Sequence, residues 1–265
     1  MKIYKYYNPS SYSLTSLEKG YFWLNFPENF NDPFDTYLNV EVSGKLNEWK
    51  TFLEKSLHFS ENEALSFINL NRIVENQQYT FSNIENNFRK SQVVSCFSTK
   101  NDSILMWSHY TEKHSGFCLG FSVIKPNNFY LLDITDDDYN NFIYFNGRKY
   151  LPLRKVEYLI KKPKPFNPLK DSEEIFIQNT LQKSKVWKYE NEYRLVISPK
   201  NYKNNTVNFC KNILTDIYFG INTTEKTINE IQDIIRYVYK PIKTIKFHYP
   251  KKDYLEYLIK YEKYI

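Results

Sequence analysis

Two short runs of the sequence combine large aromatic side chains with groups that ionise or form hydrogen bonds. The first run reads LMWSHY over residues 105–110, and the second reads WKYENEYRL over residues 187–195. Aromatic side chains usually supply core mass, whereas serine, histidine and carboxylate groups are costly to bury unless each polar group is paired. We therefore predict a polar site set in an aromatic cleft.

The second run places two carboxylates and a guanidinium at alternate positions, Glu190, Glu192 and Arg194. In an extended segment such residues project to the same side, so both carboxylates would enter one space. Two neighbouring carboxylates raise the pKa of one of them unless a cation neutralises the pair, and Arg194 can supply that charge. A ladder of surface ion pairs and a buried acidic site both fit this pattern.

The first run carries Trp107 and Tyr110 three residues apart, so both lie on the same side of a predicted helix. Core packing alone explains that spacing. His109 is one of only four histidines in the chain. It is either a hydrogen-bonded structural residue or a catalytic base.

Two further polar groups qualify as site residues. The turn-forming sequence NDPFD at residues 31–35 either closes a loop or presents Asn31 and Asp32 to a pocket. The sequence SCFST at residues 95–99 ends a predicted strand in small hydroxyls. Ser95 and Ser98 can therefore cap the following helix or offer hydroxyls to a ligand.

The order of predicted elements favours an α+β fold with a mixed, mainly antiparallel sheet. Apolar residues recur at helical spacing between about residues 45 and 90, which indicates a helical insertion in a single domain over residues 1–265. Short strands are predicted on both sides of this segment. We expect a final helix from Asp253 to Tyr264.

The composition is that of an ordinary globular protein, with 42% hydrophobic and 25% charged residues. No apolar run approaches the roughly 20 residues that span a bilayer, and the N-terminal residues lack the apolar core of a signal peptide. We therefore expect a cytoplasmic protein without a membrane partner. The net charge of +6 would assist encounter with a polyanion without specifying one.

Several reaction classes lack their sequence signatures. The chain has only 6 glycines and no glycine-rich phosphate loop, which disfavours nucleoside triphosphate hydrolysis. Its three cysteines, Cys96, Cys118 and Cys210, are widely spaced and have no local nucleophile signature, and the sequence contains no His-x-x-x-His or Cys-x-x-Cys pair. We therefore expect neither a disulfide framework nor a bound metal.

The chain resembles the prokaryotic family of uncharacterised proteins called DUF2971. The resemblance rests on motifs spread over roughly residues 1–220. These are Tyr4-Lys5-Tyr6, Asn31-Asp32-Pro33-Phe34-Asp35, Ser95-Cys96-Phe97-Ser98, Met106-Trp107-Ser108-His109-Tyr110, Gly116-Phe117-Cys118-Leu119-Gly120-Phe121 and Lys185-x-Trp187-x-Tyr189-Glu190-x-Glu192-Tyr193-Arg194.

The chain is also distantly similar to ADP-ribosyltransferase domains. These place a histidine or arginine on a first strand, a serine or tyrosine on a strand–helix unit, and a glutamate on a later strand. Tyr4 or Tyr6, Ser95 to Ser98 with Tyr110, and Glu192 follow that order here. Neither histidine nor arginine occurs in the opening strand, which is a departure from the pattern.

This resemblance implies an ADP-ribosyltransferase-like fold and an enzyme that uses NAD. Glu192 would stabilise the positive charge that develops on the ribose, as in glycoside hydrolysis, and Glu190 or His109 would act as a base. The resemblance also implies residues that bind NAD. These are Tyr4, Tyr6, Asn31, Asp32, Ser95, Ser98, Trp107, Tyr110 and Arg194. A toxin or anti-phage effector that modifies a nucleic acid or protein acceptor is the expected biological role.

Two other functions remain open at this point. The aromatic cleft could belong to a non-catalytic module that binds a nucleotide or a nucleic-acid end. A nuclease could instead hold a divalent metal with Asp32, Asp35, Glu190 and Glu192. The acidic residues lack the tight spacing of a metal motif.

Overall fold

The computed structural model describes residues 1–36, 39–81, 90–126, 130–135, 142–198, 205–240, 245–253 and 258–264. The chain divides into two compact units. The first, the sheet unit, contains residues 1–26, 92–156 and 186–265. The second, the helical unit, contains residues 27–91 and 157–185. The segment predicted as a helical insertion lies within the helical unit, which also takes in a later stretch of the chain.

Ten strands of the described chain form one sheet in the sheet unit. They are β1 (Lys2–Tyr7), β3 (Val93–Ser98), β4 (Phe117–Ser122), β5 (Tyr130–Ile134), β6 (Ile143–Phe145), β7 (Arg148–Lys155), β10 (Glu192–Ile197), β12 (Leu214–Phe219), β13 (Lys246–Asp253) and β14 (Leu258–Tyr264). Their order is β14-β13-β12-β4-β1-β3-β10-β7-β5, with β6 beside β7. The β12–β13 pair is parallel and the other described pairs of this sheet are antiparallel. The predicted α+β class with a mixed, mainly antiparallel sheet is confirmed.

Alternation along the strands gives this sheet two different faces. The core face carries large apolar side chains that form the main hydrophobic cluster. Examples from successive strands are Ile3, Phe97, Phe121, Leu195 and Ile217, each at most 2% exposed. The opposite side, the polar face, carries the intervening residues of the same strands. Every candidate site on a strand must therefore be assigned to one of these two faces.

Helices with defined ends accompany the sheet. Helix α1 (Ser11–Lys19) begins after Ser10, whose hydroxyl accepts a hydrogen bond from the Ser13 amide. It ends at Gly20, whose φ of 80° is a left-handed conformation that glycine adopts at little cost. The helices α4 (Ile104–Tyr110) and α6 (Glu225–Val238) begin after the caps Ser103 and Thr224. The two-stranded pair β2 (Tyr21–Trp23) and β11 (Thr206–Asn208) completes the described strands of this unit.

The helical unit has a hydrophobic core of its own. Its elements are α2 (Leu46–Ser56), α3 (Glu61–Leu70), α5 (Glu173–Thr180) and the parallel pair β8 (Glu157–Leu159) and β9 (Gln182–Ser184). Trp49, Leu53 and Ala64 have no exposed surface and pack at its centre. Helix α3 begins with a capping box in which Ser60 and Glu63 satisfy each other's backbone amides. Residues 82–89 of the predicted helical segment lie outside the described residues.

The predicted final helix is wrong. Residues 258–264 form the strand β14, which pairs antiparallel with β13. Ile259 and Tyr261, two residues apart, belong to the hydrophobic cluster of Trp107, Cys118 and Tyr218 on the polar face. This burial favours the strand, because local propensity is a weak constraint next to tertiary packing. No described helix is long and apolar enough to cross a membrane.

Candidate functional site

Three neighbouring strands align three of the predicted site residues on the polar face. In the antiparallel pairing of β1 with β3, Tyr4 lies opposite Ser98. In the pairing of β3 with β10, Ser98 lies opposite Glu192. Adjacent strands are about 5 Å apart, so these residues form a continuous row. We call Tyr4, Ser98 and Glu192 the strand row.

Glu192 is paired with Arg194 beside this row. Nε and Nη2 of Arg194 donate to the two carboxylate oxygens of Glu192 at 2.7 and 3.0 Å. Glu192 is 3% exposed and Arg194 has no exposed surface. A buried carboxylate is costly unless a cation satisfies it, and a two-point guanidinium contact also fixes its orientation. The guanidinium therefore supplies the counter-charge of this carboxylate and prevents its rotation.

Glu190 does not share one extended strand face with Glu192. It is the last residue of the 3₁₀ segment Lys185–Glu190, and Asn191 after it has a left-handed φ of 45°. The chain turns at Asn191, so the alternation assumed for an extended segment begins only at Glu192. Two hydrogen bonds fix Glu190 from other elements: Tyr110 donates to its carboxylate, and Ser98 Oγ donates to its carbonyl at 2.6 Å.

Tyr4 occupies the first-strand position of the strand row. Its ring meets that of Tyr218 edge-on, with the centroids 5.8 Å apart. Gly120 lies opposite Tyr4 on β4, and a Cβ there would come within 3.3 Å of the Tyr4 ring. Burial is the main cause that raises the pKa of Tyr4. The phenol is therefore protonated at neutral pH and is a hydrogen-bond donor.

Trp107 and Tyr6 form a packed pair beneath the site. Their rings meet edge-on at 5.3 Å. Trp107 has no exposed surface, and its indole donates to the Asn101 carbonyl at 2.8 Å. The Tyr6 hydroxyl donates to the Lys100 carbonyl at 2.9 Å. Because Trp107 has no exposed surface, no ligand can stack on its ring. Its side chain instead packs helix α4 against the sheet.

His109 lies at the surface within a cluster of aromatic rings. Its imidazole centroid is 6.3 Å from the Trp187 ring, 6.4 Å from the Tyr189 ring and 6.4 Å from the Tyr110 ring. The Trp187 and Tyr189 rings are 5.9 Å apart. His109 is exposed, and the other three side chains are half-buried. We call His109, Trp187 and Tyr189 the aromatic platform.

Ser95 is separated from the strand row. It lies three residues before Ser98 on the same strand, so the two side chains project to opposite faces. Its hydroxyl accepts from Lys5 Nζ at 2.9 Å, and Lys5 also donates to the Cys96 carbonyl at 3.0 Å. Burial lowers the pKa of Lys5. Strand alternation in the sequence could have assigned Ser95 and Ser98 to different faces.

Asn31 and Asp32 belong to the helical unit. Asp32 Oδ1 accepts from the Phe34 amide at 2.9 Å, which is the local turn that an aspartate before proline forms. Asp35 is 2% exposed and pairs with the buried Lys183 at 3.1 Å. The two partners are far apart in the chain, so no local sequence pattern predicts this ion pair.

A second polar cluster on the polar face was not anticipated from the sequence. Asp216 on β12 is 1% exposed and accepts from His248 Nε2 at 2.8 Å and from Thr215 Oγ1 at 2.7 Å. Lys2 also pairs with this carboxylate. The His248 ring stacks on Tyr218 at 4.1 Å with an interplanar angle of 8°. In the sequence, the pattern that could have indicated this cluster is a single polar residue within each apolar strand.

This cluster has a testable dependence on pH. Burial alone would raise the pKa of Asp216, but hydrogen bonds from His248, Lys2 and Thr215 outweigh it and hold the pKa well below its usual range. In the unfolded chain the pKa of an aspartate is about 4. Ionised Asp216 therefore stabilises the fold above about pH 4, and this contribution is lost as the pH falls from there toward the folded pKa.

We expect Asp216→Asn to lower the free energy of unfolding by about 3 kcal/mol at neutral pH, because it leaves a buried histidine and a lysine without their carboxylate. Urea denaturation at a series of pH values measures the difference, which should shrink below about pH 4. Asp233→Asn is the matched control, since Asp233 forms an exposed pair with Arg236. It should change stability by less than about 1 kcal/mol. An equal loss at all pH values would contradict the assignment.

Among the residues that the structure describes, no group of three or more histidine, cysteine, aspartate or glutamate side chains is placed to hold a metal ion. Asp32, Asp35, Glu190 and Glu192 are all described residues, and they form no such group.

Residues 106–195 match the sequence model of the family described as "Protein of unknown function (DUF2971)". The match supports the family resemblance, and it contains Met106–Tyr110 and the run from Trp187 to Leu195. No curated protein and no solved structure matches the chain.

Proposed function

We propose that this protein is an NAD-dependent ADP-ribosyltransferase-like enzyme. The observation that carries the proposal is the strand row, in which Tyr4, Ser98 and Glu192 face one another across three neighbouring strands. The resemblance to ADP-ribosyltransferases expects three functional residues in this order along the chain. Their lateral register adds support, because three such residues need not have lain on adjacent strands or on one face.

The proposed reaction breaks the bond between ribose C1′ of NAD and the nicotinamide nitrogen. Nicotinamide leaves as a neutral base with the bonding electron pair, and an acceptor forms a new bond to C1′ and loses a proton. Glu192 would hold a ribose hydroxyl and stabilise the positive charge developing on the sugar. Arg194 orients that carboxylate through its two-point contact. Because Arg194 has no exposed surface, its proposed role is to position Glu192 and not to contact the pyrophosphate.

Tyr4 stands where the resemblance expects histidine or arginine. Its protonated phenol can donate a hydrogen bond but cannot supply positive charge. We assign it to the carboxamide or a ribose hydroxyl of NAD. Ser98 is fully buried and donates to the Glu190 carbonyl, so its role is to fix the 3₁₀ segment that carries Glu190.

Glu190 is the proposed base for the acceptor. Its carboxylate is held by the Tyr110 hydroxyl. A base must lie within hydrogen-bond reach of the proton that it removes. Since Tyr110 is half-buried and adjoins the exposed His109, the hydrogen-bonded pair lies close to a surface that an acceptor can reach.

Incubation of the purified protein with NAD tests the proposal, with release of nicotinamide measured by chromatography. We expect release in the presence of a chelator, since the proposed chemistry uses no metal. NAD binding without any turnover would instead support a non-catalytic nucleotide-binding module. Cleavage of a nucleic acid that stops when the chelator is added would support the metal-dependent nuclease.

A toxin or anti-phage effector is the biological role that we propose for this activity. Modification of a host nucleic acid or protein would harm the cell in which the enzyme is made. We expect induced expression of the parent protein to arrest bacterial growth and Glu192→Gln to relieve the arrest at equal protein level, as checked by immunoblot. Growth arrest by both the parent protein and Glu192→Gln would show that the toxicity does not depend on the proposed reaction.

A further inference from the structure

We propose that the aromatic platform is an acceptor subsite for an unstacked base of single-stranded nucleic acid. The inference rests on the proposed function, because an acceptor is needed only by a transferase. Its geometric basis is the set of ring contacts that join His109 to Trp187 and Tyr189.

The platform is held by contacts on the inner side of both of its segments. Helix α4, which carries His109, is anchored by the fully buried Trp107. The 3₁₀ segment that carries Trp187 and Tyr189 is anchored by Glu190, which is 2% exposed. The rings are therefore presented by fixed backbone, and binding would require little new ordering.

A nucleobase suits this surface because it has an aromatic face of similar size. Stacking on aromatic side chains is the usual way in which proteins bind single-stranded nucleic acid without strict sequence preference. The hydrogen-bonded pair of Glu190 and Tyr110 adjoins the platform through the contact of the Tyr110 and His109 rings. A base resting on the platform would bring its polar edge toward the proposed general base.

The charges around the platform favour a polyanion over a basic peptide. Lys188 lies between Trp187 and Tyr189 in the sequence and is exposed. Lys113 is exposed as well, and its amide donates to the Ser108 carbonyl beside His109 at 3.3 Å. The exposed Glu112 offsets one of these charges. With Glu112 offsetting Lys113, a phosphate backbone would gain attraction from Lys188, whereas a basic peptide would be repelled by it.

Fluorescence anisotropy with a labelled single-stranded RNA of about 12 nucleotides measures this binding. We expect Trp187→Leu to raise the Kd at least tenfold and to leave its salt dependence unchanged, since stacking involves no charge. Lys188→Gln should weaken binding and reduce the slope of log Kd against log salt by about one. Trp23→Leu is the matched control, because Trp23 is 53% exposed on β2, outside the platform, and its loss should leave the Kd unchanged.

An oligonucleotide of the same length without bases separates stacking from charge. If it binds as tightly as the complete RNA, or if Trp187→Leu binds the RNA like the parent, the proposed subsite is wrong. Nicotinamide release by a parent protein that does not bind RNA would overturn the subsite and leave the transferase proposal standing. Binding that depends on Trp187, in a protein that does not cleave NAD, would support the base-binding platform and contradict the transferase.

Discussion

Replacing Glu192 with Gln is expected to reduce nicotinamide release from NAD by at least about 10²-fold. The physical reason is that the amide lacks the negative charge that opposes the positive charge developing on the ribose. The change keeps the size and hydrogen-bonding shape of the side chain, so the loss should appear in kcat more than in KM. The measurement is the initial rate of nicotinamide release at several NAD concentrations.

This substitution also removes the counter-charge of a buried arginine, so folding must be controlled. Glu192→Asp keeps the negative charge beside Arg194 while withdrawing the carboxylate by one methylene. It should fold if Glu192→Gln does not, and it should still lose activity because the carboxylate is displaced. Glu18→Gln, at an exposed position of α1, is the neutral control. Parental rates in both folded Glu192 variants would refute the assigned role.

The pair of Glu192 and Arg194 should have a large effect on stability. Arg194→Met leaves a buried carboxylate without its partner and is expected to lower the free energy of unfolding by about 3–5 kcal/mol. Glu192→Leu leaves the guanidinium buried alone and should cost a similar amount. The double variant should be more stable than either single variant, because replacing a whole buried ion pair with apolar groups is often close to neutral.

Urea denaturation of the parent, both single variants and the double variant completes a double-mutant cycle. We expect the two single losses together to exceed the loss in the double variant by more than about 2 kcal/mol. Lys226 and Glu230, an exposed pair on α6, provide a matched cycle with an expected coupling below about 1 kcal/mol. Additive losses at Glu192 and Arg194 would show that their contact contributes little.

The sequence predicted the class of the fold because the order of its predicted strands and helices is typical of an α+β fold. The strand β10 (Glu192–Ile197) is one of the short strands that the structure has after the predicted helical segment. Prediction failed at the C-terminus, where a helix is expected from Asp253 to Tyr264 and the structure has the strand β14 over residues 258–264. The pairing of β14 with β13 is a contact between segments, and a local sequence pattern contains no information about it.

For the site, the residue types were more predictable than their arrangement. Glu192 and Arg194 lie two residues apart, so their contact follows from strand geometry alone. The contact between Tyr110 and Glu190 joins residues 80 positions apart, and only the assembled sheet brings them together. The left-handed conformation at Asn191 is what separates Glu190 from the strand face of Glu192.

The buried pair of Asp216 and His248 was not predicted from the sequence. Asp216 and His248 lie on different strands, and neither belongs to a motif. Their contact depends on the parallel pairing of β12 and β13, which places the two strands side by side. Such a pairing arises from the fold as a whole, so no spacing rule within a single segment could have indicated it.

The position of β1 near the middle of the sheet has a consequence for the order of folding. This strand is residues 2–7, yet its neighbours are residues 93–98 and 117–122. During synthesis on the ribosome, β1 therefore leaves the exit tunnel long before either neighbour exists. Contacts between residues so far apart in the sequence slow folding to the native state. Until then both edges of a tyrosine-rich strand are open, so chaperone binding to nascent chains should concentrate there.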